Sequence, residues 1–200
     1  MTNLLQELSE QLSGQTVEKI SQKLGARPEQ TQSAISAALP FILSALAKNT
    51  NSQQGAESLH KALNKDHDGS VLNNLESFIS SSGSSEGAGI LRHILGQKRG
   101  TVEQFVSKGS GLQQDSTAKM LEMLAPVVMG VLGKEQRKSN LDVSALSTLL
   151  SSTRQQVDNQ TPKDMGLINQ ILDSDGDGDI KDDLARMGMK FLGGLFSGKR

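Results

Sequence analysis

Apolar residues recur along this chain at three- and four-residue intervals, and strand-like alternation is scarce. Leu4, Leu5, Leu8 and Leu12 form one helical face, and Val17, Ile20 and Leu24 another. Pro28 sits where a first helical turn accepts it, and Ala34, Ile35, Ala38, Leu39, Ile42 and Leu46 continue the stripe. Further helices are predicted over residues 53–63, 115–132, 143–155, 164–172 and 180–196. The fold class is all-α. Three stretches interrupt the pattern: Ser80–Gly89 reads as a flexible Ser/Gly linker, Gly133–Asn140 as a charged loop, and Gln155–Lys163 as a polar turn around Pro162.

The chain also resembles itself. "VEKISQKLGARPEQTQSAISAALPFILSALAK" from Val17 pairs with "VEQFVSKGSGLQQDSTAKMLEMLAPVVMGVLGK" from Val102, with one residue gained near Gly109. Pro40 then falls opposite Pro126 and Lys48 opposite Lys134. A proline inside a helix removes a backbone bond and bends it, so its recurrence at matched places predicts two similar tandem units. "NKDHDGSVLNNL" likewise pairs with "DSDGDGDIKDDL", and the second unit is the longer one around Gly133–Lys163. The expected organisation is a first repeat at 1–79, a linker at 80–89 and a second repeat at 90–200, which can pack as one domain.

Those two loops carry the candidate chemistry. Asp173–Leu184 holds six aspartates against one lysine. Calcium takes six to eight oxygens, and an EF-hand loop supplies them at alternating positions with glycine at the sixth. Asp173, Asp175 and Asp177 occupy the first, third and fifth positions, Gly178 the sixth, Asp179 the seventh through its carbonyl, and Ile180 the eighth. The twelfth position, normally a bidentate Glu, is Leu184, and the acid falls at Asp183 instead. Asn64, Asp66, Asp68, the Ser70 carbonyl and Asn73 or Asn74 make a weaker second candidate with two charged ligands. Helix capping explains one or two acids at such a place, not six that repel one another. Ca²⁺ is the expected ion, and magnesium, with its stricter octahedral demand, fits less well.

Composition narrows the rest. Net charge is −1 and aromatics are 2%, with no Tyr or Trp, so neither an electrostatic nor a stacking platform for nucleic acid is present. Zero cysteine excludes disulfides and thiolate chemistry. No Walker pattern occurs, there is no cysteine nucleophile, and His60, His67 and His93 lack helical zinc spacing, so no enzyme activity is expected. The N-terminus reads as an amphipathic helix rather than a signal peptide, and Met123–Leu132 is short for a membrane span, which makes the cytoplasm the expected location. The partner expected is protein, by self-association of paired helical halves. The apolar tail "MGMKFLGGLFSGKR", bearing Lys190, Lys199 and Arg200, is read as core- or partner-packing before peripheral membrane contact. A metal-independent interaction module is the alternative reading.

"SAALPFILSALAKN", "DHDGSVLNNL", "GILRHILGQKRGTVEQ", "LAPVVMGVLGKE" and "LDSDGDGDIKDDL" followed by "FLGGLF" together resemble the bacterial domain-of-unknown-function family 937, a YidB-like group. The resemblance spans essentially the whole chain. It implies a small helical bacterial protein with an Asp-rich calcium-like loop and no assigned reaction, and it carries Asp173, Asp175, Asp177 and Asp183 over as ligands.

Overall fold

A computed structural model describes residues 4–81, 84–160 and 162–173. Among them the regular structure is helical throughout. Helix α1 (Leu4–Gln11) buries Leu4 and Leu8, and Leu12 just beyond it is buried too. Helix α2 (Gln15–Leu24) ends at Gly25, which takes a left-handed φ of 62° while its N–H and that of Ala26 bond back to Gln22 and Ser21. A side chain at that φ would be strained, so glycine is the natural stop. Helix α3 (Pro28–Asn49) starts with proline in its first turn. Helix α4 (Gln53–Lys65) is capped by Ser52, whose Oγ accepts from the Gly55 N–H at 3.1 Å. A 3₁₀ turn (Ser70–Asn74) leads into α5 (Leu75–Ser81). Then follow α6 (Ser84–Leu95), a second 3₁₀ turn (Gly96–Lys98), α7 (Arg99–Ser110), α8 (Gln114–Lys138), α9 (Val143–Gln160) and α10 (Pro162–Asp173).

Helices α3 and α8 are the two central pieces. Every residue from Phe41 to Ala47 of α3 is buried, as is every residue from Met123 to Gly133 of α8. A helix apolar on all sides must be surrounded, and both are. Helix α3 is covered by α2, α6, α7, α9 and α10, and α8 by α1, α2, α4, α6, α7 and the Ser70–Asn74 turn; the two also touch each other. The Phe41 and Phe105 rings meet edge to face at 5.2 Å, fixing α7 on α3. At 25 residues α8 is long and apolar enough to cross a membrane, but 78% of its apolar window is buried inside the protein's own body, as for a core helix.

Several details of α2 and α3 recur in α7 and α8. Gly111 stops α7 at φ 71°, as Gly25 stops α2. Arg27 and Gln113 are both extended residues preceding a central helix, and the buried Thr31 and Thr117 bond back to their carbonyls at 3.2 and 3.0 Å. Pro40 and Pro126 lie inside α3 and α8.

Three expectations need correction. Residues 84–89 of the expected linker are the first half of α6, because Gly87 lets α6 lie against the Glu122 carbonyl of α8, where a Cβ would stand 1.8 Å from that oxygen. The expected charged loop at Gly133–Asn140 is helical to Lys138, since Glu135 and Gln136 turn inward and are buried. Residues 155–160 of the expected polar turn complete α9, and α10 begins at Pro162. The helix expected over 180–196 lies outside the described residues.

Candidate functional site

The first acidic loop leaves α4 after the buried Leu63. The N–H groups of Asp66 and His67 both bond to the Ala62 carbonyl, at 2.9 and 3.2 Å, closing the helix. Asp68 then turns the chain, its Oδ1 accepting from the Ser70 N–H at 2.9 Å. Gly69, at φ 91°, completes the reversal into the 3₁₀ turn.

Helix α8 receives this loop. Gly133 faces the His67 carbonyl so closely that a Cβ would lie 1.7 Å from its oxygen, and Gly130 makes room for Val71. One turn on, Arg137 holds the loop by two contacts: Nη2 donates to the Asn64 carbonyl at 3.0 Å, and Nη1 lies 3.3 Å from Asp68 Oδ2. The bonds from Ser70 hold the Asp68 carboxyl below the usual carboxylate range, and the Arg137 charge adds to the effect. Lys134 reaches Glu7 of α1 at 2.8 Å, and that partner raises its pKa.

Of the residues proposed for the weaker site, Asp68 is thus spoken for by Ser70 and Arg137. Asp66 is exposed at the helix end, Asn64 lies 3.4 Å from His60 Nδ1, and Ser70, Asn73 and Asn74 are exposed. Among the described residues no three His, Cys, Asp or Glu side chains are grouped to hold a metal ion. In the Asp-rich loop, Asp173 closes α10, while Asp175, Asp177, Asp179 and Asp183 lie outside the described residues. The approach to that loop is visible: Lys48, in the last turn of α3, donates to the Leu172 carbonyl at 2.8 Å.

Arg137, Gly133 and Lys48 are the residues that sequence reasoning did not single out as loop anchors. The signal available was a cation in the last turn of each proline-bearing helix, with a glycine ahead of it in one of the two. His60 Nε2 is 3.1 Å from the Leu141 carbonyl, His67 Nδ1 is 3.6 Å from Glu86, and His93 is exposed. His67 and His93 line a cavity of about 730 Å³ with Leu46, Leu59, Ile90 and Met129. In "GQKRG", Arg99 is bound at 2.6 Å to both Glu103 and Glu122. Burial opposes the Arg99 charge, but the two carboxylates outweigh it and raise its pKa.

No curated protein and no solved structure matches this chain. A match to the bacterial proteins of unknown function grouped as DUF937 runs over residues 6–135, from α1 into the last turn of α8. It therefore covers the first loop and both central helices and stops short of α9, α10 and the Asp-rich loop. With most of its length matched, the chain belongs to the DUF937 family of bacterial proteins.

Proposed function

We propose that this is a non-enzymatic protein built from two copies of one helical unit, whose 173–184 loop binds Ca²⁺ and so stabilises the fold or a self-association surface. The two-copy reading is supported by the matched glycine stops, threonine back-bonds and interior prolines. Part of the packing follows the same pattern. Helix α4 lies on α8 and α10 on α3; α2 lies on α8 and α7 on α3; α1 lies on α8 and α6 on α3. On this reading α10 is the counterpart of α4, with Leu172 opposite Leu63, and α9 is the extra length of the second copy.

One observation carries the calcium reading. Asp68 has an arginine beside it. Its counterpart is Asp177, and the residue at Arg137's place is Asn51, in the turn just after α3, which brings no charge. Ala47 stands where Gly133 stands. A loop richer in acid, with asparagine at the place of that arginine, is stabilised best by a cation held within itself.

Thermal melts in Ca²⁺ and in EDTA test this. A ligand binding only the folded state stabilises it by about 2.7 kcal/mol at a concentration of about 100 Kd. Calcium raises the melting temperature, Asp173→Asn with Asp177→Asn removes the rise, and Asn51→Arg shrinks it by supplying the missing charge. No shift at millimolar Ca²⁺ leaves the metal-independent interaction module. Sizing over a range of concentrations tests self-association, and a monomer throughout rejects it.

A further inference from the structure

In the first half the chain after the loop has a clear destination. Helix α5 packs on α2, and Lys23 of α2 donates to the Ile79 carbonyl and, at 3.2 Å, to that of Ser80, closing the last turn of α5. Ile20, three residues before Lys23 and on the same face, is 1% exposed.

In the second half the corresponding helix is α7. Phe105 stands at the place of Ile20 and Lys108 at that of Lys23. Phe105 is only partly buried, and Lys108 is exposed and makes no hydrogen bond or ion pair among the described residues. The described chain ends at Asp173, one residue past the Leu172 carbonyl that Lys48 of α3 holds, and α3 packs directly on α7. The described chain therefore ends on α3, the helix against which α7 packs, with 27 residues still to follow. They include Leu184 and Met187, at the places of Leu75 and Phe78, and continue with Phe191 and Leu192.

We infer that residues 184–196 dock on α7 of their own chain, covering Phe105, with Lys108 bonding the backbone carbonyls near Gly188 as Lys23 bonds those of α5. The inference rests on the two-copy reading and does not need calcium. It gives the apolar tail a place inside the protein rather than on a membrane or a partner.

The chain has no cysteine, so paired substitutions report on the full-length protein without background. Lys108→Cys with Met187→Cys, treated with a short bis-maleimide, is compared with Lys23→Cys with Phe78→Cys, a pair on the packed α2 and α5. Cross-linking within a monomer at a rate close to the reference pair is the expected result. No product, or products that are dimers only, overturns the docking. Failure of the reference pair as well sinks the two-copy reading with it. Equal cross-linking in Ca²⁺ and EDTA keeps the docking and counts against calcium. A second readout avoids cysteine: Lys108→Met lowers the melting temperature about as much as Lys23→Met, and an effect confined to Lys23→Met refutes the assignment.

Discussion

Substituting Gly133 by alanine isolates the contact that seats the first loop. The new methyl carbon would fall 1.7 Å from the His67 carbonyl oxygen, where real Cβ atoms keep about 3 Å. Neither side yields easily, because the contact is to backbone and Gly133 lies in the buried stretch of α8. The loop has to retreat by more than an ångström, which strains the Arg137 bonds to Asn64 and Asp68 at 3.0 and 3.3 Å. Overpacking of this kind costs about 1–3 kcal/mol, while alanine regains about 1 kcal/mol of helix propensity over glycine. The expected net loss is up to about 2 kcal/mol, and each kcal/mol lowers the melting temperature by roughly 2–4 °C at this chain length. Gly109→Ala is the control. Gly109 also lies in a helix, but nothing stands within 4 Å of its Cβ position, so that variant gains about 0.5–1 kcal/mol. Thermal unfolding of the two variants, with hydrogen exchange of the 66–74 amides, reads the difference. If Gly133→Ala melts at or above the parent while Gly109→Ala rises, the loop does not rest on α8 as described.

Other consequences follow from named contacts. The folded Asp68 pKa lies below its unfolded value, so its stabilisation is present above about pH 4 and is lost as pH falls through the folded value. Arg137→Met moves the Asp68 titration upward only in part, since the Ser70 bonds are the larger cause; a carboxyl NMR titration that fails to move at all refutes the ion pair. Leu124→Ala empties a fully buried site on α8 and destabilises by about 2–5 kcal/mol in urea unfolding. A loss under about 1 kcal/mol there would mean that α8 is not a core helix.

The helical class and the central stripe were legible because 3.6-residue periodicity survives wherever one face is wet, as in α2 and α4. Local composition misled where tertiary contacts decided the outcome. "SSEG" at residues 84–87 has the look of a linker, yet Gly87 is there because the Glu122 carbonyl of α8 leaves no room for a side chain. "KEQRK" at 134–138 reads as a solvated loop, yet it is a helix end whose Glu135 and Gln136 are buried and whose Lys134 and Arg137 reach Glu7 and the first loop. The loop acids were countable from the sequence. The arginine beside Asp68 was not, because it lies far along the chain and only the docking of α4 on α8 brings it near.

That arginine bears on how two loops of similar pattern come to differ. Each proline-bearing central helix ends with a cation bonding the chain that enters a loop: Arg137 at the Asn64 carbonyl, Lys48 at that of Leu172. Lys48 bonds a backbone oxygen at the entry of the second loop. In the first loop one guanidinium does both jobs, anchoring the backbone and meeting the Asp68 charge. A fixed internal cation makes a loop indifferent to the ions around it, whereas a loop whose charge is left unmet depends on them. On the two-copy reading, and with the proposed calcium site, Arg137 in the last turn of α8 is replaced by Asn51 in the turn after α3. Moving a single arginine between those positions should then move the ion dependence with it.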